Sequence, residues 1–334
     1  MASTRPRLSE VAARAGVSEK TVSNVINKYE HVSVATRERV ELALTELNYR
    51  VNLSARSLAS GRTGFITLAV PGLDNPYFAE LAGHMISAAA AHKWTVLIEQ
   101  TGGQHDTESQ VIGGIMPVDG IVLHPEALTS SELLDSATPV VLIGEKTLDH
   151  VADHVVADNV AAAQDLTEHL LSTGRRRIAC IGLEENSPFT TSALRFEGYQ
   201  RALRSAGIEP DPALQIPSLS VKRADGLAAI THLLSLRERP DAVICFNDVL
   251  ASGVLHGLSL AGVPVPTAIA VAGFDNIEET QYSAPPLTTI AWDTKTIAEQ
   301  AVGLLAERQG GGEQTPLREI SVGYELIVRG STAS

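Results

Sequence analysis

A small all-α head followed by an α/β body of two lobes is the fold class that the sequence predicts. Three observations carry it: a split in charge near residue 62, three short helical stripes before residue 50, and apolar strand-like runs alternating with amphipathic helical runs from Gly64 onward. At 334 residues the chain is too long for one ordinary core. A hydrophobic share of 44% with 19% charge places it among folded globular proteins. No run of about 18 apolar residues is present, so a membrane partner is not expected. The N-terminus carries Arg5, Arg7, Glu10, Arg14, Glu19 and Lys20 without a continuous apolar stretch. It does not read as a secretory signal, and the chain is expected in the cytoplasm. Cys180 and Cys245 sit inside apolar runs, as buried thiols in a reducing compartment do. There is no CxxC and no Cys/His cluster with zinc spacing, so neither a metal nor a cofactor is expected.

The formal charge of −13 argues against nucleic acid only as an average. Residues 1–62 hold ten Lys/Arg against six Asp/Glu, a net +4, while the remainder holds 16 against 33, a net −17. A basic head on an acidic body is the asymmetry expected when only the head meets phosphate.

Within the head, Leu8, Val11, Ala12 and Ala15 form the apolar face of a first helix that stops at Gly16, suited to a left-handed turn. Val17 plugs the turn, and Ser18 can cap a second helix from Glu19 to Asn27. There Val22, Val25 and Ile26 face inward, leaving Glu19, Lys20, Thr21, Ser23 and Asn24 outside. Ser33 caps a third helix whose stripe is Val40, Ala43, Leu44 and Leu47. Two short helices around a Gly-containing turn make a helix-turn-helix, whose second helix enters the major groove. A generic helical bundle with a polar face is the alternative. The order A-x-x-A-G-V-S-x-x-T-V-S from Ala12 to Ser23 is more specific than a polar face.

The run LSEVAARAGVSEKTVSNVINKYEHVSVATRERVELALTELNYRVN resembles the N-terminus of the LacI/GalR family of bacterial regulators, and the resemblance continues through the chain. It implies that Glu19, Lys20 and Asn24 read base edges and that Ser18, Thr21, Ser23, Asn27 and Thr36 contact phosphates. The chemistry agrees: Lys suits guanine O6/N7, Asn suits adenine N6/N7, and Glu can accept from cytosine N4. Two positions depart from the family pattern. Arg7 stands where a small hydroxyl residue usually caps the first helix, and Val51 stands where a proline usually precedes the asparagine.

Residues 51–62 follow the 1–50 head as a linker, and NLSARSLASG at 52–61 could form one helix between Asn52 and Gly61. A flexible Ser/Ala/Gly linker is the alternative, since helices this short are marginal in water. The resemblance implies a hinge helix that orders on operator DNA, with Leu58 wedging between minor-groove base steps and Ala55 against the groove.

The body, 63–334, reads as parallel sheets covered on both faces. Strand candidates are Phe65–Val70, Thr95–Glu99, Gly120–His124, Val140–Gly144, Arg177–Gly182, Asp241–Phe246, Ile269–Phe274 and Thr288–Trp292. They are too many for one comfortable sheet, so two Rossmann-like lobes are expected, with ligands beyond the carboxyl ends of strands. The resemblance implies a periplasmic-binding-protein-like core. Its chain would cross between lobes near Asp158, Thr289 and Glu319, giving lobe one at about 63–160 plus 291–318 and lobe two at about 161–290 plus 319–330.

Polar and aromatic residues follow the strands: Asp74, Asn75, Tyr77 and Phe78 in PGLDNPYF, Asn247 and Asp248 in CFND, Asp275 and Asn276 in GFDN, and Trp292 in LTTIAWD. The resemblance places Arg195, Asn247 and Asp275 among the effector-holding residues, and Tyr77, Phe78 and Trp292 on the pocket wall. Carboxylate, amide and guanidinium groups beside an aromatic ring suit a carbohydrate. Asp248 and Asn276 read rather as helix caps, and Tyr77 and Phe78 have a core alternative. His124 and Glu145, also at strand ends, are further candidate contacts.

No Walker A loop, nucleophile elbow or HExxH motif appears, so an enzyme is not expected. The core alone would also fit a cytoplasmic small-molecule-binding protein without regulatory DNA binding, and the basic head counts against that reading. No leucine heptads follow YELIVRG, which favours a homodimer. The expectation is thus a sequence-specific regulator, a repressor, on near-palindromic operator DNA. A sugar or sugar derivative bound between the lobes would control its operator affinity.

Overall fold

The computed structural model describes residues 6–26, 29, 31–49, 62–114, 116–145, 148, 150–184, 190–218, 221–309 and 316–333. The chain divides into two units, Met1–Thr63 and Gly64–Ser334.

Among the described residues the first unit holds three helices: α1 (Leu8–Ala15), α2 (Glu19–Ile26) and α3 (Val34–Glu46). Arg7 offers no hydroxyl cap, and Glu10 compensates by accepting the Arg7 backbone N–H at 3.1 Å. Gly16 ends α1 at φ 65°, and the next amide, Val17, returns to the Ala12 carbonyl. Ser18 accepts the Thr21 amide at 3.2 Å and Ser33 the Thr36 amide at 3.3 Å, so both expected caps are in place. Val11, Val22 and Val40, one from each helix, are fully buried and meet in the head's own core.

The second unit is built on two six-stranded sheets. The first contains β1 (Phe65–Val70), β2 (Thr95–Gln100), β3 (Gly120–Leu123), β4 (Val140–Ile143), β5 (Asp153–Ala157) and β11 (Glu319–Val322), in the order β11-β5-β4-β3-β1-β2, all parallel. The second contains β6 (Ile178–Leu183), β7 (Gln215–Pro217), β8 (Ala242–Cys245), β9 (Ala270–Phe274), β10 (Thr288–Trp292) and β12 (Tyr324–Ile327). Its order is β12-β10-β9-β8-β6-β7, with only β12 antiparallel to its neighbour. The strands are apolar on both faces because helices cover both sides; Ile66, Leu68, Ala69 and Val70 of β1 are all fully buried.

On the first sheet lie α4 (Pro76–Ala91), α5 (His105–Ile112), α6 (Ser130–Leu134) and, returning from far along the chain, α11 (Thr294–Gln309), which packs on α4. The second sheet carries α7 (Asn159–Ser172), α8 (Thr191–Ser205), α9 (Arg223–Ser235) and α10 (Asp248–Leu260). Tying α11 to the first sheet, Arg308 meets the buried Asp153 carboxylate with two nitrogens at 2.7 and 2.8 Å, and the Arg318 amide adds a third bond at 2.9 Å. Burial pushes the Asp153 carboxyl up, but these bonds and charges outweigh it and hold its pKa below the usual value.

The chain passes between sheets three times, each time through one residue: Asp158 between β5 and α7, Asp293 between β10 and α11, and Gly323 between β11 and β12. The last two correct the expected crossings at Thr289 and Glu319. β10 stays paired with β9 and β12 as far as Trp292, and β11 pairs with β5 before the chain leaves the first sheet. Residues 291–292 therefore belong to the second lobe and 319–322 to the first. Beyond residue 330 the second lobe continues, since the Ser331 hydroxyl accepts the Thr288 amide at 2.8 Å.

Candidate functional site

The head presents Ser18, Glu19 and Lys20 exposed at the start of α2, with Thr21, Ser23, Asn24 and Thr36 partly exposed beside them. Burying Val22 and Val25 against α1 and α3 forces this: with an apolar face inward, the intervening polar positions turn out. The Ser18 and Thr21 hydroxyls hydrogen-bond at 2.9 Å, and Ser33 donates to the Thr36 hydroxyl at 2.8 Å. Arg37 donates to the Tyr29 carbonyl at 3.0 Å, fastening the segment after α2 to α3. Asn27, Ala55 and Leu58 lie outside the described residues, as does all of the 51–62 linker except Arg62.

In the body, a cavity of about 390 Å³ opens where the strands of both sheets end at their carboxyl side. Its wall brings together Asn75, Tyr77 and Phe78 from the first lobe with Arg195, Asn247, Asp275 and Trp292 from the second. Asp74 does not join them: it is exposed, with its carboxylate over Gly72. Pro76 opens α4 directly after its cap, Asn75, so Tyr77 and Phe78 stand in the first turn and face the cavity, and Asp74, one residue before the cap, points away.

Arg195 is the centre of the second lobe's wall. The residue is only 6% exposed, and its guanidinium is held on all sides. Nε donates to Asn159 Oδ1 at 2.6 Å, Nη1 to the Phe246 carbonyl, and Nη2 lies 3.5 Å from Asp275 Oδ1. The Phe274 ring lies under it at 4.4 Å, with Trp292 at 5.6 Å. Trp292 donates Nε1–H to Asp275 at 3.3 Å, which gives that indole a positioning role as well as a place on the wall. Asp275 itself sits at φ 102°, a left-handed conformation at the end of β9. Burial raises its pKa, against the opposing pull of Arg195 and Trp292. Burial, then the charges of Glu145 and Asp275, likewise push the Tyr77 phenol up. Asn247 spends its side-chain oxygen on the Leu250 amide, 2.7 Å, as the cap of α10. Asp248 is not on the wall; it is buried, accepting from Thr289 at 2.8 Å and from the Ile277 amide at 3.1 Å.

Glu145 and His124, further candidate contacts from their strand-end positions, both line the cavity, and Thr191, Glu126 and Glu184, which carry no sequence signal of their own, join them. Glu145, on the first lobe, accepts from Asn159 at 2.7 Å and from Thr191, on the second lobe, at 2.6 Å. A chain of bonds thus runs from Thr191 through Glu145 and Asn159 to Arg195 and joins the lobes. Burial and then the Glu126 charge raise the Glu184 pKa. His124 packs edge-on to Phe78 at 5.2 Å between ring centres, and its buried Nδ1 has no hydrogen-bond partner among the described residues. It fits there because Gly144, at φ 93°, has no side chain: a Cβ would come within 2.6 Å of the imidazole.

A helix-turn-helix with exposed polar residues on α2, on one chain with a two-lobed ligand cavity, is matched by known proteins. Residues 7–52 fit the model of bacterial regulatory proteins of the lacI family, and residues 167–332 that of a periplasmic binding protein-like domain. The HTH-type transcriptional repressor CytR of Escherichia coli strain K12 is 34% identical over 342 residues, covering 98% of this chain and 97% of that protein. The chain belongs to the LacI family.

Two solved structures of transcriptional regulators extend the likeness. A LacI-family regulator from Sanguibacter keddieii superposes with a TM-score of 0.76 at 38% identity, over 82% of this chain and all of that one. The transcriptional regulator CelR in complex with cellobiose gives 0.71 at 30% identity, over 98% and 100%. As a LacI-family protein the chain is a DNA-binding transcription regulator with an effector-binding core. Among the described residues no helix is long and apolar enough to cross a membrane.

Proposed function

We propose that this LacI-family chain is a cytoplasmic repressor without enzymatic activity that binds a near-palindromic operator as a homodimer, one head per half-site. A sugar or sugar-derivative effector seated between its lobes controls that grip. In this reading Lys20, Asn24 and Glu19 read guanine, adenine and cytosine edges. Ser18, Thr21, Ser23, Asn27 and Thr36 fix register on phosphates, and Ala55 and Leu58 enter the minor groove. Asn75, Tyr77, Phe78, Arg195, Asn247, Asp275 and Trp292 hold the effector, with Glu145 and His124 added to the set; Asp74 is dropped from it.

The observation that carries the reading is the Glu145–Thr191 bond across a cavity walled by both lobes. A ligand touching both walls gains most from one lobe arrangement, and differential affinity for two arrangements is what shifts an equilibrium. A coupling of about 1–3 kcal/mol changes operator affinity about 5–150-fold. The cellobiose complex of CelR supports the sugar class.

The test is binding-site selection from random DNA with the full-length protein, followed by anisotropy titrations of the selected site with and without stabilising sugars. A two-fold symmetric consensus whose affinity changes when a sugar is added is the expected result. An asymmetric consensus, or none, sinks the operator reading. A symmetric operator indifferent to every sugar that stabilises the core sinks the effector reading alone. A ligand at about 100 times its dissociation constant adds about 2.7 kcal/mol of stability, enough to find candidates by melting.

A further inference from the structure

Behind the first lobe's wall stands a carboxylate outside the cavity's lining. Glu108 lies in the first turn of α5 and is fully buried. Its Oε1 accepts the Glu126 amide at 2.9 Å, and its Oε2 accepts the Ala127 amide at 3.0 Å and the Leu128 amide at 2.9 Å. Three consecutive backbone donors turned toward one point form a nest, a shape that suits an anion, and here the chain supplies the anion itself. The segment so held follows β3 and has no helix or strand of its own. Its start, His124, Pro125 and Glu126, lines the cavity. Its end, Leu128, is buried in one cluster with Val111, Ile112 and Leu133. The turn that leads into α5 meets the same segment: Gly103, at φ 63°, lines the cavity, and a Cβ there would fall 2.0 Å from Glu126 Oε2.

Backbone amides that meet neither helix nor sheet partners must be satisfied in some other way. Glu108 does this for three of them at once and thereby fixes the shape of the segment. We propose that Glu108 is a positioning residue for the effector: it touches no ligand, and its carboxylate sets the 124–126 wall that the ligand meets. This rests on the effector reading of the same cavity. A wall already in shape costs the ligand nothing to order, whereas a loosened one must be ordered at the expense of affinity. Glutamine in the same place would keep the size but turn one acceptor oxygen into an N–H donor facing backbone N–H groups. The site therefore uses the charge and the acceptors of Glu108 rather than its volume. The consequence is a control point for affinity on a helix that contributes no residue to the cavity wall.

Glu108→Ala removes a methylene and a carboxylate, which acetate matches heavy atom for heavy atom, so the role can be taken away and given back. Hydrogen exchange read by mass spectrometry on the full-length protein is the direct measurement. In Glu108→Ala the 126–128 amides should exchange about tenfold faster or more, while β8 and β9 keep their protection. Acetate should restore slow exchange; acetamide, of the same shape without the charge, and chloride at equal ionic strength should not. Unchanged exchange at 126–128, or a loss spread evenly over β1, β3 and β4, overturns the proposal. Restoration by acetamide as good as by acetate overturns the part given to the charge. In parallel, the wild type is melted with cellobiose, glucose and ribose, and the sugar that stabilises it most is titrated calorimetrically into both proteins. Affinity should fall about tenfold in Glu108→Ala and return with acetate. Equal affinity in the two proteins overturns the proposal. If none of the three sugars stabilises the wild type, the sugar reading loses support while the exchange measurement still decides whether Glu108 sets the wall. Should Glu108→Ala not fold, Glu108→Gln takes its place, with faster exchange at 126–128 expected and unchanged exchange overturning the proposal.

Discussion

The two functional surfaces of this chain are made in opposite ways. The head's candidate base-reading side chains come from one helix, α2, and stand out from it because Val22 and Val25 face in. The cavity's come from strand ends and helix starts scattered from Asn75 to Trp292, and they are held by each other. Glu19 and Lys20 are exposed, whereas Arg195 is buried under partners on every side. A surface that waits for an external partner can be altered with little effect on folding. A site that is its own scaffold cannot.

That contrast can be broken or sharpened by substitution. Arg195→Ala should have the largest effect. It leaves Asp275 buried without its cation, a loss of about 3–5 kcal/mol for a buried pair. Calorimetry should show the core melting lower and effector response gone. An unchanged core melting temperature would mean that the wall does not depend on its own contacts. Asp153→Asn comes next, because hydrogen bonds to a charged group are worth about 1.5–3 kcal/mol. Its effect should depend on pH. The folded-state pKa lies below the unfolded one, so the carboxylate's stabilisation is full above the unfolded pKa and fades as pH falls through the folded value. Melting curves of wild type and variant should therefore diverge at neutral pH and converge in acid.

Lys20→Ala tests the other side of the comparison. It should cost about 1–3 kcal/mol of operator affinity at each half-site, with specificity relaxed at one base pair. Thermal stability should move by no more than about 0.5 kcal/mol. A drop in head stability comparable to the loss of binding would erase the distinction. The smallest effect is expected of Ser33→Ala, about 1 kcal/mol of helix capping, confined to the head and visible as loss of α3 amide protection in hydrogen exchange.

The same contrast explains what could be read from the sequence. The head is legible because its determinants are local: Gly16, Ser18 and Ser33 mark helix ends within a residue or two of where they fall, and the valine stripes mark its core. Most strands of the body are legible as apolar runs. β5 is not, because it begins with Asp153 and His154, which look like surface residues until Arg308 arrives from 155 positions away. Asn159 and Thr191 are hidden for the same reason. Each looks like an ordinary polar residue at a helix start, and only the crossing of the chain brings both to Glu145. Asp74 misleads in the other direction: one residue before a helix cap it has the right chemistry and the wrong direction.

The three single-residue passages between the sheets, at Asp158, Asp293 and Gly323, limit how the lobes can travel. Two residues flanking one linker residue cannot part by more than about 7 Å, since an extended chain gains only about 3.3–3.6 Å per residue. Translation of one lobe away from the other is therefore forbidden by covalent reach. What remains is swinging about the three ties, like a lid on short straps. A swing moves atoms in proportion to their distance from the straps, so a small turn set by a ligand near the fulcrum becomes a larger arc at the far rim of each lobe.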